Sequence, residues 1–437
     1  MNSSKKVAMG PDKPQAAISD QFDGQLHLSR FYSLALLIMA FFLARFNQTA
    51  LYPLQKAMAA AEGLSDNYVA LLQGPAFIMP FVILSVPLGM AVDRLVRVRL
   101  LVAAILCGIV GSLLTAWGSR LPALLLGRAF VGLSSSATTV IVFSMIADLF
   151  PPAQRGRAKS AADVAGQIGG SVAFLAGGML LATAHDARHG WSWALTWMST
   201  PLLLGMILLL TLREPARAGE GKASPPLRRM FIELRDYRAL ILPLVLGAVL
   251  IEIPIVATAI WAAPILTRSF SLGPGEVGSI MGSVLLVSGI AGPVLCGFLS
   301  DASQRAGGPR RAILAIALLM GLSAPGCLFG LAPTAFSAAV ILGFFMTGLS
   351  GGLSMTITAF TIVIPNELRG LCLSLLSASA AIVGVALAPV LISLLSAALG
   401  GPAMIGQALA LISLPSSLLA GASLLIGLHY LPRGASV

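Results

Sequence analysis

Twelve stretches of this 437-residue chain run for about 18 residues or more with almost no charge. Each is long enough to cross a bilayer core of about 30 Å at a rise of about 1.5 Å per residue. Lipid offers no hydrogen bonds to the backbone, so segments of this length must satisfy their amides internally as helices. The runs fall near Phe31–Pro53, Tyr68–Val92, Leu100–Trp117, Pro122–Phe150, Ala158–Ala182, Trp193–Leu212, Leu240–Leu266, Val277–Ser300, Ala312–Leu331, Thr334–Ile364, Leu371–Leu399 and Ile405–Tyr430. Only 10% of the residues are charged and 57% are hydrophobic, against about 25% charged in a soluble domain. That deficit excludes a water-exposed globular fold and a disordered or nucleic-acid-binding chain. Nothing in residues 1–30 forms the apolar core of a signal peptide, so the first span is expected to direct insertion itself.

Charge placement orients the spans. An even number puts both termini on one side, and with that side cytoplasmic the inner segments hold 22 of the 28 basic residues. Lys56, Arg120, Arg188 and Arg268 lie on the outer loops, and Arg45 and Arg128 lie within spans. This pattern implies a multi-pass protein of a bacterial inner membrane with both termini cytoplasmic. Basic residues facing anionic lipid make the membrane itself a partner.

The longest loop, 213–238, is basic and interrupted by Pro and Gly, and Leu227–Tyr237 has the pattern of a short surface helix or a plain connector. It divides the chain into a tail at 1–30, a six-helix bundle at 31–212, a linker at 213–238, a second six-helix bundle at 239–431 and a tail at 432–437. The halves repeat. Gly89-Met-Ala-Val-Asp93-Arg94-Leu-Val-Arg97-Val-Arg99 after the second span is echoed 208 residues on by Gly297-Phe-Leu-Ser-Asp301. Phe150-Pro-Pro-Ala-Gln-Arg155-Gly156 after the fourth is echoed 214 residues on by Ile364-Pro-Asn-Glu-Leu-Arg369-Gly370. Six spans return the second half to the orientation of the first, so the repeat is parallel.

The G-x-x-x-D-R-x-x-R-x-R loop resembles the signature of the major facilitator superfamily. A narrower resemblance, to its spinster-like branch, rests on Ala61–Phe77, on Pro87–Arg94, on Arg128-Ala-Phe-Val-Gly132 and on Trp261–Gly278. It implies an all-α membrane protein of two six-helix bundles that transports lipids or organic anions. It also implies that Trp261 projects into the cavity. Asn47-Gln48 stand where that branch carries an Asp-Arg pair, and Ser135 stands where it carries a glutamate. Glycine at Gly89 permits close helix approach, and Asp93, Arg94, Arg97, Asp148, Arg155, Asp301 and Arg369 form the expected cytoplasmic gate: the loop aspartates cap a helix N-terminus or pair with arginines across the halves, and Asp148 joins a cluster with Arg155 and Arg94.

Ionisable groups within spans are functional hypotheses, because each costs a few kcal/mol or more at mid-bilayer. Arg45, Gln48, Thr49 and Tyr52 share one face of the first helix. Arg128 stands about two turns into the fourth helix at a similar depth, with Gly132, Ser135 and Thr139 continuing its stripe. Two guanidiniums facing one cavity suit a carboxylate or phosphate, and structural bonding to backbone carbonyls is the alternative. The expected substrate contacts are Arg45, Gln48, Tyr52, Arg128, Ser135 and Trp261. Glu252, two residues before Pro254, is the expected proton carrier, with a static counter-ion or an amine contact as alternatives. Asp163 suits the start of the fifth helix through the helix dipole.

These residues describe a secondary active transporter that moves a small or amphipathic organic anion by alternating access, with proton symport through Glu252. The alternative is an exporter or facilitator of hydrophobic or lipid-like compounds without proton coupling. Nothing supports an enzyme: no catalytic residues, metal-ligand cluster or Gly-rich phosphate loop stand out, and no cofactor is called for. The four cysteines read as small apolar packers. A monomer is expected, with no nucleic-acid partner.

Overall fold

The computed structural model describes residues 13–118, 120–184, 186, 189–215, 238–307, 309–363, 372 and 375–430. It contains twelve helical spans long and apolar enough to cross a membrane. In order they are Arg30–Thr49, Asp66–Leu84, Arg97–Trp117, Leu121–Leu149, Gln154–Thr183, Gly190–Leu209, Ile241–Phe270, Pro274–Ser303, Arg310–Leu331, Ala335–Thr358, Leu375–Leu399 and Pro402–His429. Each run read from hydropathy meets one of these spans. The calls at Arg369, on the loop 364–370, and at Leu227–Tyr237 lie outside the described residues.

The ends of the spans differ from the apolar runs where local chemistry intervenes. The first helix begins at Lys13, well before the lipid-crossing part, and stops at Thr49. A turn and a short helix, Gln55–Glu62, then lead to the second span. That span is two helices, Asp66–Gln73 and Pro75–Arg94, broken at Gly74 because Pro75 has no amide to donate. A Cβ on Gly74 would come within 2.7 Å of the Val385 carbonyl, so glycine here lets the second span touch the eleventh. Pro293 and Pro254 sit inside continuous helices. Ahead of Pro389 the eleventh span widens into a π-helical turn, Ala381–Leu387.

The first six spans pack around one another, and the last six do the same. Between them, the fifth span packs on the eighth and the second on the eleventh. The face carrying the loops after the second, fourth, sixth and eighth spans is termed the basic face, and the other the opposite face. Contacts between halves gather toward the opposite face. Gly178 meets Gly278 backbone to backbone, and Gly282 lies against the Ser171 carbonyl. Nearer the basic face, Lys159, Asp163 and Gln167 on the fifth span are exposed. Among the described residues, the result is a cleft between the halves that is closed on the opposite face and open on the basic one.

Large exposed apolar side chains such as Leu204, Leu242, Phe298 and Phe336 cover the periphery, as lipid contact requires. Of the tryptophans expected at a membrane interface, Trp117 and Trp193 are exposed, whereas Trp191 is buried within the N-terminal half. All four cysteines are free thiols.

Candidate functional site

Three helix faces from the N-terminal half line the cleft. The first span presents Phe41, Arg45 and Gln48; the fourth presents Phe143, Thr139 and Ser135; the fifth presents Lys159, Asp163 and Gln167. The steps of three or four residues keep each set on one face. The first and fifth spans can lie close because Gly166 and Gly169 carry no side chains; a Cβ on Gly166 would press on the Phe41 ring at 2.7 Å.

Arg45 is exposed, and its guanidinium donates to Gln48 Oε1 at 2.9 Å. Ser135 Oγ donates to the same oxygen at 3.1 Å. Three of the expected contacts are thus one hydrogen-bonded group joining the first and fourth spans. No carboxylate lies within 4 Å of Arg45 among the described residues.

Arg128 is placed differently. It is 2% exposed, donates through Nη2 to Gln73 Oε1 at 2.8 Å and through Nε to the Leu72 carbonyl at 3.4 Å, and lies 5.2 Å from the Phe77 ring centroid. Gln73 donates in turn to Gln55 Oε1 at 3.3 Å, and Gln55 donates to the Ile260 carbonyl at 2.5 Å. This chain begins on the fourth span, passes through the second and the short Gln55–Glu62 helix, and ends on the seventh span in the other half. Arg128 therefore braces the closed face in this conformation, which corrects the expectation of two guanidiniums sharing the cleft. Tyr52 is buried beside it, edge-on to Phe174 with centroids 6.1 Å apart.

Trp261 does not project into the cleft. Its side chain is 0% exposed and its indole nitrogen has no hydrogen-bond partner among the described residues. Asn47 also points away from the cleft. It donates to the Gly108 carbonyl at 3.2 Å and accepts from Ser112 at 2.5 Å, tying the first span to the third.

Glu252 is half-buried on the seventh span, packed against Gly384 in the π-helical turn of the eleventh. A Cβ at Gly384 would lie 2.6 Å from Glu252 Cγ. No basic side chain lies within 4 Å of its carboxylate among the described residues, and Arg45 acts on it at longer range.

At the basic face, Arg97 is buried and pairs with Asp148 and, at 2.9 Å, with Glu214. It also donates to Ser144 at 3.3 Å and to the Pro215 carbonyl at 3.0 Å. Burial opposes ionisation of Glu214, but the bonds from Arg97 and from the Val98 amide outweigh it and hold its pKa below the ordinary value. This cluster joins the third and fourth spans to the segment after the sixth, all in one half, and Asp148 pairs with Arg97, where the sequence suggests Arg155 and Arg94. Arg155 donates to the Phe150 carbonyl at 3.0 Å. Gly89 faces open space, and Asp93, Arg94 and Asp301 are exposed.

An ion pair that crosses between the halves sits on the opposite face. Arg268 holds both carboxylate oxygens of Asp66 at 2.8 Å and also donates to the Pro402 carbonyl at 2.9 Å. Beside it, Ser393 donates to Asn67 at 2.6 Å. Partial burial and the nearby Arg268 lower the pKa of Lys56. Hydropathy had marked Arg268 only as an outer-loop cation. Nothing in sequence spacing links residues 202 positions apart.

Two six-helix halves with a central cleft, sealed at one face, have the architecture of a membrane transporter rather than an enzyme. A family profile described as Major Facilitator Superfamily matches residues 37–262. The chain belongs to that superfamily. It is 28% identical to protein spinster homolog 1 of Xenopus tropicalis over 307 residues, 65% of this chain and 57% of that protein. To the Mus musculus homologue it is 32% identical over 176 residues, 38% of this chain and 31% of that protein. The chain thus spans little more than half the length of these relatives at most. Among solved structures, a bacterial homologue of the human lysosomal transporter Spinster, in an inward-facing conformation, superposes with a TM-score of 0.72 at 20% identity, covering 92% of this chain and 96% of that one. A D-xylose–proton symporter superposes at 0.68 with 16% identity, covering 89% and 97%. These establish the fold.

Proposed function

We propose that the chain moves a small or amphipathic organic anion across a bacterial inner membrane by alternating access, with proton symport through Glu252. The basic face is then cytoplasmic, both termini lie there, and the two bundles at 31–212 and 239–431 rock about the linker as a monomer. The observation that carries the reading is Arg45: an exposed guanidinium in a membrane-embedded cleft, held by Gln48 and with no carboxylate within 4 Å among the described residues. A permanent charge in such a place is costly unless a ligand or water meets it. A guanidinium retains donors for a carboxylate or phosphate after giving one to Gln48.

Substrate contact narrows to Arg45, Gln48 and Ser135. Tyr52, Arg128 and Trp261 stand behind the closed face in this conformation. Gly89, Asp93, Arg94, Arg97, Asp148, Arg155, Asp301 and Arg369 serve the inner gate, formed when the basic face shuts. The second reading, a facilitator or exporter of lipid-like compounds without proton coupling, is favoured by Asn47 and Ser135. Neither can titrate, and Asn47 is committed to the third span.

A ligand-stabilisation screen of the purified protein across carboxylates, phosphates and lysolipids tests the anion reading. Stabilisation by anions that disappears in Arg45→Gln supports it. Stabilisation only by uncharged compounds, or unaltered in Arg45→Gln, rejects it.

A further inference from the structure

Two cations of the cleft rest on aromatic rings instead of carboxylates. Arg45 Cζ stands 6.0 Å from the Phe41 centroid, and Lys159 Nζ stands 4.9 Å from the Phe143 centroid. The two rings form a tilted pair with centroids 5.3 Å apart. A carboxylate would hold a cation and cancel its charge. A ring face holds it through the quadrupole and leaves the charge available. Both cationic side chains are exposed, and no carboxylate lies within 4 Å of either among the described residues. Asp163, one turn beyond Lys159, interacts electrostatically with both.

The two cations differ in depth. The fifth span meets Arg45 at Gly166, whose Cβ would lie 3.0 Å from Arg45 Cγ. Lys159 precedes Gly166 by seven residues, which places it ~10 Å along the helix axis toward the basic face. Phe143, half-buried, supplies an apolar wall on the way.

We infer that Lys159 on Phe143 and Arg45 on Phe41 are an outer and an inner anion station, so that the cleft takes an organic anion with two negative groups separated by an apolar stem. This rests on the organic-anion reading and adds to it a second charge and a spacing. Lys159, Phe143 and Asp163 thereby enter the binding site: Lys159 as a ligand contact, Phe143 as the residue that positions it, and Asp163 as a like charge that weakens anion binding.

Calorimetry on the full-length protein in detergent, with suberate, succinate and octanoate as probes, tests the arrangement. Suberate is expected to bind about tenfold tighter than the other two, a second charge contact being worth about that factor. Lys159→Gln and Phe143→Leu should bring suberate down to the level of octanoate and leave octanoate unchanged. Lys159→Arg should retain the preference, which separates loss of charge from misfolding. Asp163→Asn should tighten binding of both suberate and octanoate. Arg45→Gln should weaken both. Equal binding of suberate and octanoate by the wild type, or suberate binding unaffected by Lys159→Gln, overturns the two stations and leaves the organic-anion reading standing. Absence of binding for all three probes overturns both.

Discussion

The guanidinium of Arg128 donates to the side-chain oxygen of Gln73 at 2.8 Å, and Gln73 passes the connection through Gln55 to the Ile260 carbonyl in the other half. An intramembrane arginine thus serves closure of the opposite face. Gln73 and Gln55 are 0% and 1% exposed, so each amide left without a partner costs about 1–3 kcal/mol.

Gln55→Leu removes the last donor of that chain and leaves the cleft residues alone. The expected result is greater labelling of a cysteine placed at Asn67 from the opposite face, with Arg45-dependent ligand binding retained. Unchanged labelling would place closure elsewhere.

The pair between Asp66 and Arg268 is bidentate and partly shielded, so its contribution stands near the upper end for surface pairs, about 1 kcal/mol. Asp66→Asn should raise the fraction open at the opposite face about fivefold. The double exchange Asp66→Arg with Arg268→Asp should restore closure in spin-label distance measurements.

Gly74→Ala drives a methyl group against the Val385 and Ala386 carbonyls, at 2.7 and 3.1 Å before any relaxation. Backbone cannot yield as a side-chain tip does, so a destabilisation of about 1–3 kcal/mol is expected. Thermal unfolding and transport should fall together.

Glu214 titrates lower in the folded chain than its ordinary value of 4.5. A depressed carboxyl stabilises above the unfolded value and loses that stabilisation as pH falls through the folded one. The wild-type Tm should therefore drop below about pH 4.5. Glu214→Gln should lower the Tm at neutral pH and flatten that drop. A parallel shift at all pH values would assign the effect to packing.

Under the symport proposal, Glu252→Gln abolishes accumulation driven by a pH gradient and spares counterflow exchange in liposomes. Full gradient-driven accumulation in the variant would remove Glu252 from coupling.

Twelve spans were legible because lipid permits only long apolar helices, and a charge deficit of this size leaves no other solvent. The parallel repeat was legible because two loop signatures recur at nearly equal offsets. Grouping Arg45 with Gln48 followed from helical periodicity, and Ser135 from its depth on an antiparallel neighbour. Periodicity stops at the surface of one helix. It placed Arg128 at the depth of Arg45, whereas the bond from Ser135 to Gln48 sets Arg128 nearer the closed face beside Tyr52, and it could not show that Gln73 would take its donor or that Trp261 would be fully buried. Lys159 read as one more basic residue near the inner face until its ammonium was found over Phe143.

By itself, then, the sequence determined the solvent and the number of the helices, since each depends on local composition. Tertiary structure alone decided which face is closed, through Asp66 with Arg268 and Gln55 with Ile260, and which charge remains in the cleft. Those outcomes depend on the rotation and approach of helices far apart in the chain. Glycines without side chains and single hydrogen bonds set that approach, at a scale below any pattern in hydropathy.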